Sequence, residues 1–126
     1  MWIFTSNGFV SAVAHRTKSN HLMVRARAKE HLAGLAQRVG AQPEHTPDAD
    51  YEWRVTVSRK VFEGYVLEQI KAIDYDNFKD SIRTSAANSI MGGVEVDADL
   101  VGDYHAACSK TWGAMWEFQA MRPSVF

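Results

Sequence analysis

The side chains best suited to chemistry are three arginines, Arg25, Arg27 and Arg54. In the run from Leu22 to Arg27 apolar and polar residues alternate, so as a strand it sends Leu22, Val24 and Ala26 to one face. Met23, Arg25 and Arg27 then lie on the other. A second alternating run puts Tyr51, Trp53, Val55 and Val57 on one face and Glu52, Arg54 and Thr56 on the other. If the two strands are neighbours, three guanidiniums share one surface, with His15 at its edge. Guanidiniums hold phosphates and carboxylates through paired hydrogen bonds. Such a face suits RNA, a nucleotide or an acidic partner segment. By default it is a solvated sheet back, its arginines neutralised by Glu52 and nearby acids, because antiparallel sheets often keep one polar face.

The second candidate is aromatic. Trp112 and Trp116 lie four apart in a helical pattern, with Met115 between them and Phe118 beyond. By default such a stripe is core. Positions 100, 104, 107, 111, 115 and 118 already complete one stripe, however, and Val101, Cys108, Trp112 and Trp116 widen it. The excess predicts a helix buried on two sides or a patch for another chain, which the terminal Val125-Phe126 would extend. Trp112, Met115, Trp116 and Phe126 are therefore the protein-interface candidates. His15, Arg25, Arg27 and Arg54 are the anion or nucleic-acid candidates.

Catalytic and metal signatures are missing. The five histidines form no H-x₃-H or H-E-x-x-H pair, and a lone cysteine gives no CxxC. The acidic stretches Asp48-Ala49-Asp50, Asp74-Tyr75-Asp76 and Glu95 to Asp103 lack the regular oxygen ligands of a calcium loop. No G-x-S-x-G turn, P-loop or G-x-G-x-x-G occurs, so no metal and no cofactor is expected. The first functional expectation is thus a non-enzymatic binding or regulatory protein acting through protein contacts, as a homodimer or on another partner. The alternative is a nucleic-acid or nucleotide-phosphate binder. The third is a small hydrolase or transferase built around His15, Arg25 and Lys79.

The 126 residues fit one domain over 1–126, and 46% hydrophobic residues supply its core. A net charge of −1 argues against wholesale phosphate binding. Cys108, set in an apolar helical pattern, reads as a small buried hydrophobe. No basic and apolar leader and no apolar run near 20 residues is seen, so no membrane association is expected, and the expected location is the cytoplasm.

These side chains need elements to position them. Residues 2–5 and 9–15 read as strands joined at Asn7-Gly8, a hairpin pair that tolerates positive φ at both positions. Both strands are apolar on both faces, so each is central or covered on two sides. Strands at 22–27 and 51–57 follow. Helical spacing predicts helices over 28–39, ended by Gly40, and from the Ser58 cap to Ile73. It predicts two more, from Phe78 to about Ser89 and from an Asp97 or Asp99 cap to about Met121. Gly40 to Asp50 is the long polar loop, and Gly92-Gly93 opens a flexible loop near 90–96. The order β-β-β-α-β-α-α-α predicts an α+β fold with an antiparallel sheet of about four strands against helices.

The chain resembles a group of small uncharacterised bacterial and phage proteins. The stretches that carry the resemblance are MWIFTSNGFVSAVAHR, HLMVRARAKEHL, TPDADYEWRV and IDYDNFKDSI, followed by the Trp-rich helix. It covers most of the chain, with Ser85 to Val96 as an apparent insertion, and it implies no activity, cofactor or partner.

Overall fold

The chain enters its main sheet at once. In the computed structural model, which describes residues 1–82 and 90–123, the main-sheet strands are β1 (Trp2–Thr5), β2 (Gly8–Ala14), β3 (His21–Ala26), β4 (Glu44–His45) and β5 (Trp53–Ser58). They lie in the order β1-β2-β3-β5-β4, every neighbouring pair antiparallel. Helices α1 (Ala33–Val39), α2 (Arg59–Lys71) and α3 (Ala98–Ala120) surround it. The fold is α+β as expected, with five strands in the main sheet rather than about four. The extra strand, β4, lies in the Gly40–Asp50 loop. It pairs Glu44 with Arg54 and His45 with Trp53, and the His45 and Trp53 rings stack at 4.2 Å. Cross-strand stacking, not local propensity, makes this short strand.

Two cores flank the sheet. On one face Val10, Ala12, Leu22, Val24, Ala26, Val55 and Val57 pack against Leu32, Leu35, Phe62 and Tyr65. Fully enclosing each Val, Leu or Phe there contributes about 1.5–3 kcal/mol. On the other face Phe4 and Phe9 stack at 4.4 Å and pack against Ile82, Met91, Val101, Tyr104 and Cys108. The first turns of α3 thus cover the β1–β2 end of the second face. β1 is an edge strand whose Ile3 packs on the first core and Phe4 on the second, which accounts for its apolar residues on both faces, while Trp2 at its start stays exposed. Cys108 is buried, as its sequence setting predicts.

The first hairpin corrects one expectation. Thr5 pairs with Gly8, so Ser6 and Asn7 form the loop; Gly8 has φ +126°, but Asn7 does not have positive φ. The Asn7 side chain bridges two other elements instead: its nitrogen donates to Gln69 Oε1 on α2 (2.9 Å), and its Oδ1 accepts from the Gly92 N–H (3.1 Å). Asn7 therefore ties the hairpin to other elements. Gly8 is needed for space as well, since a Cβ there would lie 2.4 Å from His31 Cγ.

Gly92-Gly93 forms a tight turn. It joins β6 (Ile90–Met91) to β7 (Val94–Glu95), with φ of +61° and +81°. Two consecutive positive φ values suit the twist of a two-residue hairpin. Of the segment expected to be helical from Phe78 to Ser89, the described part holds a 3-10 turn, Lys79–Ser81, with Ile82 extended after it; the remainder of that expectation lies outside the described residues. The helix expected over 28–39 opens as a 3-10 turn, Lys29–Leu32, before α1. The predicted signals at Ser58, Asp97 and Gly40 are used. Ser58 Oγ accepts from Val61 N–H, Asp97 Oδ1 from Leu100 N–H, and Gly40 ends α1 at φ +64°.

Candidate functional site

Strand register decides where the arginines meet. β3 and β5 are neighbours, and Arg25 lies directly opposite Arg54. On the other side of β3, Arg25 pairs with Ser11 of β2 and donates from Nη2 to its Oγ at 2.9 Å. Like charges placed opposite each other across strands are destabilising. The neutralisation expected of Glu52 is not made by contact, although Glu44 of β4 pairs with Arg54 on its other side. Glu52 binds His45 Nε2 at 2.8 Å, and neither Arg25 nor Arg54 forms a salt bridge with a carboxylate among the described residues.

Tyr51 orients the pair. The alternating pattern placed it with Trp53 on the opposite face, but β5 starts only at Trp53. Ahead of it Asp50 Oδ1 accepts from Tyr51 N–H, and Thr46 Oγ1 donates to the carbonyls of Tyr51 and Glu52. This turn breaks the two-residue period and delivers the Tyr51 ring, nearly fully buried, to the arginine side. Arg25 and Arg27 each place their guanidinium carbon 4.5 Å from its centre. Arg54 donates from Nη2 to the Tyr51 carbonyl at 3.3 Å, and Arg27 donates from Nε to the Asp50 carbonyl at 3.3 Å.

The part of this face that α3 leaves open is a cleft of about 420 Å³ lined by Val13, Ala14, His15, Arg16, Met23, Arg25 and Arg54. Three of the four sequence candidates thus converge. Arg27 does not line the cleft, because Tyr51 and Asp50 engage it. Arg16 does line it; its position next to His15 was the available signal. His15 Nδ1 accepts from the backbone N–H groups of Thr17 and Lys18, at 3.2 and 2.9 Å. That bonding occupies Nδ1 as an acceptor and leaves Nε2 as the ring's donor. Lys79 lies elsewhere, its ammonium 4.8 Å from the Trp112 ring centre. The trio His15, Arg25 and Lys79 is therefore not assembled.

The aromatic candidates lie on the part of α3 that leaves the body. Val101, Tyr104 and Cys108 are buried, whereas Trp112, Met115, Trp116 and Phe118 are 59, 58, 58 and 53% exposed. The default expectation of a buried tryptophan stripe is corrected: the stripe continues after the sheet it packs on has ended. The rings of Trp112 and Trp116 stack at 5.9 Å and 9°. A groove of about 450 Å³, lined by Phe4, Phe78, Cys108, Thr111, Trp112 and Met115 among others, runs beside them. Phe126 lies outside the described residues.

A buried polar group separates the two regions. His31 Nδ1 accepts from Phe9 N–H at 3.2 Å, its ring lies 4.8 Å from that of Tyr104, and Tyr104 donates its hydroxyl to the Thr5 carbonyl at 2.7 Å. Burial pushes the His31 imidazole down and the Tyr104 phenol and Cys108 thiol up. All three are held neutral and serve packing. Sequence spacing gave no sign of this cluster, whose members come from three distant segments.

Among the described residues no group of three or more His, Cys, Asp or Glu side chains could hold a metal, and no helix is long and apolar enough to cross a membrane. Fold and geometry define an α+β protein with an arginine-lined cleft on one sheet face and a projecting apolar helix. No family model matches the chain, and neither a curated protein nor a solved structure matches it.

Proposed function

We propose that this chain is a non-enzymatic binding protein that acts through protein contacts, the first of them with a second copy of itself through the C-terminal half of α3. The observation that carries this is the exposure of Trp112, Met115, Trp116 and Phe118 beyond the end of the core. At 100° per residue these side chains, with buried Tyr104 and Cys108, fall within an arc of about 160°. A stripe of that width suits a partner helix rather than water. Covering it removes roughly 500 Å² from each copy, so a two-fold pair of helices buries about 1,000 Å², the lower bound for a specific interface. The neighbouring groove offers further apolar surface to the partner helix.

Light scattering coupled to size exclusion tests this directly. The full chain should elute as a dimer, and the double variant Trp112→Ala, Trp116→Ala as a monomer with an unchanged circular dichroism spectrum. A wild-type monomer at high concentration overturns the self-association reading. A dimer that survives in the folded double variant removes α3 as its interface.

A further inference from the structure

We propose that the cleft between β2, β3 and β5 binds the phosphate group of a small phosphomonoester, with Arg25 and Arg54 as its principal donors. The proposal uses none of the α3 residues on which dimerisation rests, so either can fail without the other.

The fold sets Arg25 opposite Arg54 across β3 and β5, and among the described residues no carboxylate oxygen comes within 4.0 Å of either guanidinium, although Glu44 of β4 pairs with Arg54 on its other side. It also fixes both in place. Arg25 is held by Ser11 Oγ and by the Tyr51 ring, and Arg54 by the Tyr51 carbonyl. Each of these hydrogen bonds uses Nη2, leaving Nη1 of both residues without a protein acceptor among the described residues. Guanidiniums oriented in advance lose less freedom when an oxyanion arrives.

The other lining residues narrow the ligand. His15 contributes an Nε2 donor, and exposed Arg16 a third cation. Two fixed positive charges match a phosphomonoester dianion better than the single charge of a carboxylate or a phosphodiester. The cleft, at about 420 Å³, far exceeds a bare phosphate and falls among small-molecule sites. Val13, Ala14 and Met23 give it apolar walls for the ester's organic part. A long polyanion fits less well. The chain's net charge is −1, and Arg27, the next cation along β3, is engaged with Tyr51 and Asp50 instead of extending the site.

The test is an NMR titration of the full chain at constant ionic strength, with inorganic phosphate, adenosine 5′-monophosphate, adenosine and a single-stranded RNA as probes. Inorganic phosphate and the monophosphate should shift the resonances of Arg25, Arg54 and His15 saturably, the monophosphate more tightly, and adenosine should not. Arg25→Gln and Arg54→Gln should each weaken the monophosphate about ten-fold or more, the loss expected for a charged hydrogen bond. Val13→Glu, at a partly exposed position on the cleft wall, supplies an internal carboxylate and should abolish binding in a chain that keeps its fold. The proposal is overturned if neither phosphate nor the monophosphate shifts these residues by roughly 10 mM, well below ordinary ligand affinity. Equal binding of adenosine also overturns it. So does RNA binding that is tighter than the monophosphate's and steeply salt-dependent, which assigns the face to a polymer.

Discussion

Arg25 on β3 lies directly across from Arg54 on β5, and both are anchored to the same residue, Tyr51. The anchors are unequal. Arg25 has the tyrosine ring at 4.5 Å and a 2.9 Å bond to Ser11, whereas Arg54 has one long bond of 3.3 Å to a carbonyl. The two arginines therefore contribute differently to stability although they share one face.

Arg25→Ala should cost about 1–2 kcal/mol, because it removes a hydrogen bond and a cation–π contact that together exceed the relieved repulsion. Arg54→Thr should change stability by less than about 0.5 kcal/mol, since lost repulsion from Arg25 offsets one weak bond and the exposed cross-strand neighbour Glu44, and threonine suits a strand. Urea unfolding of the two variants measures the contrast. A larger loss at Arg54 than at Arg25 refutes this assignment of anchors.

Gly8→Ala should be severely destabilising, by about 3 kcal/mol or more, through overpacking and an unfavourable φ. The new Cβ would meet the His31 ring at 2.4 Å, at a backbone φ of +126°. Adding His31→Ala to Gly8→Ala should recover the steric part but not the backbone part. A double-mutant cycle reads the coupling, and a value near zero means that the ring and the glycine do not confront each other.

His31 sets an acid limit. Burial lowers its pKa below the ordinary 6.5 of the unfolded chain, so the unfolded state takes up its proton first as pH falls. Its contribution is complete above pH 6.5 and declines below it, with a slope of at most about 1.4 kcal/mol per pH unit for one proton. His31→Gln keeps an acceptor for Phe9 N–H and should flatten this part of the profile. Denaturant unfolding across pH 5 to 8 for the two proteins, a range bracketing ordinary histidine titration, decides it. Parallel profiles exclude His31 as the source.

The two halves of α3 should respond to substitution by different amounts. Tyr104→Phe leaves the buried Thr5 carbonyl without its 2.7 Å donor and should cost about 1–2 kcal/mol. Trp112→Ala in the monomer should cost under about 1 kcal/mol, because its ring is mostly in water. Thermal unfolding at low protein concentration separates them. Cys108, buried and with its thiol pushed up, should resist a thiol reagent until the chain unfolds. Rapid labelling of the native protein shows that the first turns of α3 open.

The elements were largely legible in the sequence because they depend on local pattern. Alternation at Leu22 to Arg27, the Ser58 and Asp97 caps and the glycine after Val39 act within a few residues of where they stand. Failures came where distant partners overrule the local signal. Asn7 uses its side chain on Gln69 and Gly92 instead of adopting positive φ. Where a helix was expected from Phe78, the described residues form a 3-10 turn, and Ile82 just beyond it is extended and taken up by the second core. Tyr51 leaves the face its spacing assigned, because the Thr46–Glu52 turn ends before the strand starts.

Function-bearing features divide in the same way. By itself the sequence determined that Arg25 would share a face with Met23, that Arg54 would oppose Val55, and that Trp112 would lie near Trp116, because side-chain direction follows from backbone period. Tertiary structure alone decided that β3 pairs with β5 in the register that sets Arg25 against Arg54, and that Glu52 turns to His45. It alone also decided that the core ends at Cys108 while α3 continues. Register and the extent of a core are set by contacts between segments far apart in the chain, and no local period encodes them.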